Sequence, residues 1–168
     1  MKTHDVPTRG FAPVRWAQEW PERLHDNYKL RGKLPEPAAC SDCGAVYHRG
    51  SWKWLDQPPG VTFVVCPACH RVRDRYPAGY FELTGDRLGL LREELMSQIR
   101  HVEVQEGGEH PLERIMSIEE TSLRRWMITT TGVHLPRRLG EALHKAHQGT
   151  LDVHYNQDEK LVRVRWES

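Results

Sequence analysis

The sequence predicts an α+β protein in two parts. A small module built on four cysteines comes first, followed by a four-stranded antiparallel sheet with two helices in the order αββαββ. Three observations predict it. All four cysteines fall in two Cys-x-x-Cys pairs, between residues 40 and 69. Apolar residues recur twice at helical spacing after residue 86. Each such run is followed by short stretches in which apolar and polar residues alternate, the pattern of half-buried strands.

Residues 1–37 hold Pro7, Pro13, Pro21, Pro35 and Pro37, with Trp16, Trp20 and Tyr28 set among basic residues. No period persists, so an extended basic and aromatic arm is expected, with one helical turn near Trp16–Leu24. In residues 38–85, Gly44–Trp54 reads as strand with a turn at Gly50, and Pro58-Pro59-Gly60 as a second turn. Val61–Val65 is a β-branched strand running into Cys66. His70–Tyr76 has helical character and stops at Pro77.

In residues 86–168, Asp86 is the expected N-cap of a helix whose apolar face is Leu91, Leu95, Ile99 and Val102, ending before Gly107-Gly108. Leu112–Glu119 and Arg125–Thr131 read as strands. A second helix spans Gly132–Gln148, with Leu135, Leu139, Leu143 and Ala146 on one face and Gly149 at its C-terminal stop. Leu151, Val153 and Tyr155 then alternate with polar residues, as do Val162, Val164 and Trp166. A turn at Asn156–Lys160 makes them a hairpin. The face away from the helices should show His154, Arg163 and Arg165.

At 168 residues the chain is long enough for one modest core. Mean hydropathy is −0.69, polar for a folded protein, but six Trp and five Tyr argue against disorder. No apolar run approaches the ~20 residues of a bilayer span. No apolar stretch follows Met1–Asp5, so a cytosolic protein with reduced thiols is expected. Residues 1–80 carry 12 basic and 8 acidic groups, net +4; residues 81–168 carry 12 and 15, net −3. An anionic partner is therefore expected on the first half only.

The pairs Cys40-Ser41-Asp42-Cys43-Gly44 and Cys66-Pro67-Ala68-Cys69 are separated by 22 residues. Two residues between thiolates let one tight turn aim both sulfurs at one ion, and Gly44 suits a turn position of positive φ. Two such turns supply the four ligands of a closed tetrahedral zinc site: Cys40, Cys43, Cys66 and Cys69. A closed site leaves no place for water, so it builds structure rather than performing chemistry. If the residues after Cys69 are helical the module is nearer a treble clef; if extended, a zinc ribbon. Three rivals use the same cysteines: c-type haem attachment at Cys66–His70, a rubredoxin-like iron site, and a thiol switch that releases its metal.

Basic and aromatic residues interleave around the cysteines. Lys29, Arg31, Lys33, Arg49, Lys53 and Arg71 are the candidate phosphate contacts, with Tyr28 and Trp54 as stacking platforms for bases. The competing reading packs Trp52 and Trp54 into the module and leaves the cations solvated. Glu141–His144 has one Glu-x-x-His spacing without the second copy that a di-iron bundle needs. The sequence has no Walker loop, dinucleotide fingerprint or nucleophile elbow, so no enzymatic activity is expected.

The paired knuckles resemble, over about 45 residues, the zinc-binding N-terminal region of the export-adaptor family of the large ribosomal subunit named for nonsense-mediated decay. That resemblance implies zinc and binding at the ribosome. Over its whole length the chain resembles an uncharacterised proteobacterial zinc-knuckle family. The resemblance rests on Tyr28–Pro37, Arg73-Asp74-Arg75-Tyr76-Pro77-Ala78-Gly79-Tyr80 and Glu109-His110-Pro111-Leu112-Glu113-Arg114-Ile115-Met116. The expectation is a cytoplasmic, non-enzymatic zinc protein that contacts structured RNA, the ribosome first among candidates. The alternative is a protein-binding adaptor or regulator, and the C-terminal sheet could also bind a protein or self-associate. No membrane partner is expected.

Overall fold

The computed structural model describes residues 11–13, 28, 32–156 and 161–168. The helical turn expected near Trp16–Leu24 and the turn residues 157–160 lie outside them. Strands are β1 (Phe11–Pro13), β2 (Ala38–Cys40), β3 (Val46–His48), β4 (Ser51–Lys53) and β5 (Thr62–Val64), then helix α1 (Pro67–Asp74) and strand β6 (Gly79–Thr84). Next come α2 (Arg92–Glu109), β7 (Ile115–Ser122), β8 (Arg125–Thr130), α3 (His134–His147), β9 (Thr150–Asn156) and β10 (Leu161–Glu167).

The strands form two sheets. The smaller has the order β4-β3-β2-β5, and the larger β1-β9-β10-β6-β8-β7. The α+β class holds, but the four-stranded antiparallel sheet is corrected: the larger sheet has six strands and is mixed. β6 lies between β10 and β8, parallel to β10 (Val162↔Gly79 through Glu167↔Thr84) and antiparallel to β8. Its residues fall before 86, so the local pattern grouped them with the cysteines. Their partner is the last strand of the chain, and nothing local announces so distant a pairing. Phe11–Pro13, inside the expected arm, pairs with β9 as an edge strand.

Alternation along these strands gives the larger sheet one apolar face. Phe81, Leu83, Trp126, Ile128, Val162, Val164 and Trp166 pack there against Leu95 and Ile99 of α2 and Leu135, Leu139 and Leu143 of α3. Gly140 lets α3 approach closely: a Cβ there would stand 2.8 Å from Leu151 Cδ1 and 2.9 Å from Val164 Cγ1. On the opposite face Glu82 is buried between Arg125 (2.7 Å) and Arg165 (2.8 Å).

Three local expectations shift. Asp86 does not cap α2; it pairs with Arg124 at 3.0 Å, and the helix starts at Arg92. The helix also runs through Gly107-Gly108 to Glu109, because glycine is tolerated in a last turn whose carbonyls have other donors. Ala146 is exposed, and His147 takes its place on the buried face, with Nε2 3.0 Å from Gln98 Oε1. Among the described residues no helix is long and apolar enough to cross a membrane.

Candidate metal centre

The first pair of cysteines sits where the small sheet turns. Cys40 ends β2, and the chain reverses through Ser41–Gly44 into β3. The Cys40 N–H donates to the Ala45 carbonyl (2.8 Å), and the Gly44 N–H to the Cys40 carbonyl (3.0 Å). Gly44 has φ +80°, a left-handed value that a side chain rarely adopts, as its place after the knuckle requires. The β3–β4 hairpin turns at Arg49 and Gly50 (φ 51° and 78°), whose N–H groups donate to the Glu36 carboxylate.

The second pair sits on the first turn of α1. Cys66 is the N-cap residue, Pro67 occupies the first turn, and the Cys69 N–H donates to Cys66 Sγ at 3.4 Å. The helix ends with Arg75 in the left-handed region (φ 53°). The residues after Cys69 are thus helical, the outcome on which the choice between treble clef and ribbon turned. The Cys66 N–H donates to Cys40 Sγ at 3.3 Å, which joins the two knuckles.

All four sulfurs lie within 4.8 Å of one another, and Cys43 Sγ is 3.8 Å from Cys66 Sγ. A tetrahedral ion with metal–sulfur bonds of ~2.3 Å holds its sulfurs ~3.8 Å apart, so the donor set fits a Cys₄ site. Cys40, Cys66 and Cys69 are buried and Cys43 is half-buried. Burial, the largest influence, pushes the Cys43 and Cys66 thiols up, and the neighbouring sulfurs add to it. Burial also opposes ionisation of Cys40, but N–H groups of Cys66, Cys43 and Asp42 outweigh it and bring that thiol down to about 7. Cys40 is thus ready to ionise while Cys43 and Cys66 resist; a divalent cation among the sulfurs removes that resistance. Four thiolates around such an ion can hold it, and they leave it no open position for substrate.

The sequence missed Arg114, at the entrance to β7. Its Nη2 lies 3.4 Å from Cys69 Sγ, 3.5 Å from Cys66 Sγ and 4.0 Å from Cys43 Sγ. Burial would lower its pKa, but the three sulfurs together hold it above its ordinary value. No spacing rule ties residue 114 to a site ending at 69. The only signal was its place in the Glu109–Met116 run. Leu112 and Trp52 pack against the same cysteines.

The expected nucleic-acid contacts separate. Lys29 and Arg31 lie outside the described residues. Lys33, Arg49 and Lys53 are exposed, with no acidic partner among the described residues. Trp54 is half-exposed, and its Nε1 donates to the Gly107 carbonyl at 2.6 Å. Arg71 is corrected: it is 3% exposed, its guanidinium lies 4.5 Å from the Tyr28 ring centroid, and Nη1 donates to the Tyr76 carbonyl. Tyr28 in turn packs beside Tyr76, with centroids 5.9 Å apart. This stack spends the cation and the ring on holding residue 28 against α1. Of the other basic residues on α1, Arg73 pairs with Asp42 of the first knuckle at 2.5 Å.

The chain matches no family model, no curated protein and no solved structure.

Proposed function

We propose that this is a non-enzymatic zinc protein. Its thiolate centre folds a treble-clef-like module that contacts structured RNA, with the ribosome as the first candidate. The observation that carries the metal half is the convergence of four sulfurs within 4.8 Å, from a knuckle on one side and a helix N-terminus on the other. Each strand of the small sheet is three residues long, too little apolar surface to fold alone, so an ion would supply what burial does not. Zinc suits four largely buried thiolates in a role without electron transfer.

The RNA half rests on the exposed Lys33, Arg49 and Lys53 and on the half-exposed ring of Trp54. Arg49 and Lys53 belong to one hairpin, with Trp54 directly after it. Cations that neutralise phosphate and an indole that stacks on an unpaired base are complementary. Arg71 and Tyr28 are no longer part of this set. The resemblance to the export adaptors points the same way.

Two measurements test the proposal. Elemental analysis of the purified chain should find one zinc per polypeptide; visible absorption from iron–thiolate bonds would instead favour the rubredoxin-like reading. Binding to ribosomal RNA should weaken steeply as salt rises, and Lys33→Ala with Arg49→Ala should reduce the slope by about two. A flat salt profile would remove the RNA reading in favour of a protein-binding adaptor.

A further inference from the structure

The metal centre extends beyond its four cysteines. A divalent ion bound by four thiolates leaves a formal charge of −2 in a largely buried place, and such a charge needs compensation. Backbone N–H groups already donate to sulfur, among them those from Cys66 to Cys40 Sγ and from Cys69 to Cys66 Sγ. Among the described residues the cationic donor to the sulfurs is Arg114, whose Nη2 stands over the face made by Cys43, Cys66 and Cys69. At 3.4–4.0 Å it is outside the ring of sulfurs, in hydrogen-bond reach of them without taking the ion's place.

Arg114 belongs to a segment whose successive residues face opposite ways. Leu112 packs on the cysteines, while its carbonyl accepts from Thr131 Oγ1 at 2.6 Å. Glu113 turns to the other side and accepts from the Leu135 N–H at 2.8 Å, at the start of α3. The Arg114 N–H donates to Thr131 Oγ1 (3.0 Å) and its carbonyl accepts from the Thr131 N–H (2.9 Å). Ile115 donates to Glu103 of α2. One arginine that answers the sulfurs is thus clamped, through its own backbone, to Thr131 after β8, and through its neighbour Glu113 to the start of α3.

We infer that Arg114 is a positioning residue of the metal centre: its guanidinium balances the thiolate charge and couples occupancy of the site to the order of the α3 N-terminus. This rests on the metal half of the proposed function. Linkage makes the coupling reciprocal. Ion binding should steady the Thr131–Leu135 corner, and loosening that corner should weaken ion binding.

The experiment uses the full chain. Zinc affinity is measured by competition with a chelator in wild type, Arg114→Met, Arg114→Gln and Arg114→Lys. Hydrogen exchange at the Leu135 amide is followed with and without zinc. The sulfur-to-metal absorption of the cobalt-substituted protein reports on N–H···S donation. Arg114→Met should weaken zinc 10–100-fold, the range for partners of metal ligands, and shift the cobalt band. Arg114→Lys should recover part of the affinity, and zinc should slow Leu135 exchange in wild type far more than in Arg114→Met. Should Arg114→Met fail to fold, tighter binding by Arg114→Lys than by Arg114→Gln carries the same conclusion. Affinities within twofold of wild type and an unmoved cobalt band would overturn the role of Arg114 while leaving the metal centre standing. A wild-type chain that takes up no zinc or cobalt would overturn the metal centre itself.

Discussion

Glu113 gives the sharpest test of how the C-terminal half is held. Its carboxylate is buried where α3 begins and accepts the Leu135 N–H at 2.8 Å. A helix leaves its first N–H groups without partners, and no N-cap side chain of α3 itself serves them. Glu113→Ala removes the acceptor. An unsatisfied buried N–H costs about 1–3 kcal/mol, and the lost contact with the helix dipole about 0.3–1 kcal/mol more. A loss of ~2–4 kcal/mol is expected by urea denaturation, a shift of very roughly 4–16 °C in melting temperature for a chain of this size. Glu113→Gln keeps an acceptor oxygen, so it separates shape from charge. Burial, the largest influence on Glu113, holds its carboxyl above the ordinary glutamate value despite the N–H groups of Leu135 and His134. The folded state therefore favours the protonated form. The stability this brings is complete below the unfolded-chain value, and it is lost as pH rises through the elevated folded value. The stability of wild type relative to Glu113→Gln should fall as pH rises from about 4 toward neutrality. Taking the difference between two proteins with the same metal centre removes the thiolates' own pH dependence. A difference that stays flat, or that grows in wild type's favour with pH, would refute this account of the buried carboxylate.

Other substitutions test the packing and the metal. Gly140→Ala gains up to about 1 kcal/mol of helix propensity but drives a methyl into Leu151 and the stiff Val164, at about 1–3 kcal/mol for overpacking. Net destabilisation of ~1 kcal/mol is expected by urea melts, and a more stable variant would show that α3 can lift without cost. Trp54→Phe should remove the Nε1–Gly107 bond at a cost of about 0.5–1 kcal/mol, its partly exposed site favouring the low end. Its readout is faster hydrogen exchange in the last turn of α2; unchanged exchange would show that the bond holds nothing. Thiolates must lose their protons to bind an ion, so zinc retention against a fixed chelator should fall steadily as pH drops from 8 to 5. Retention independent of pH would exclude cysteine sulfur as the ligand.

What could be read along the chain was whatever depends on neighbours in sequence. The Cys-x-x-Cys spacing named the four sulfurs, because a knuckle is a local turn. Alternation in Thr150–Asn156 and Leu161–Glu167 gave the final hairpin, and the three-to-four-residue period of Leu135, Leu139 and Leu143 gave the inner face of α3. Placing the charged groups needed more. Arg71 and Arg73 look alike along α1, yet one is buried under Tyr28 and the other faces Asp42 across the knuckle.

By itself the sequence determined the quartet of cysteines that could hold a metal, the α+β class and the approximate places of the helices and strands after residue 86, since hydrogen-bonded turns, helical period and strand alternation act over a few residues. Only the tertiary structure decided that Gly79–Thr84 belongs at the heart of the larger sheet and that Arg114 stands over the sulfurs. Both depend on segments dozens of residues apart meeting in space. Pairing between β6 and β10 is set by the burial of two apolar faces together, and the reach of Arg114 by the way that sheet seats the module beside it.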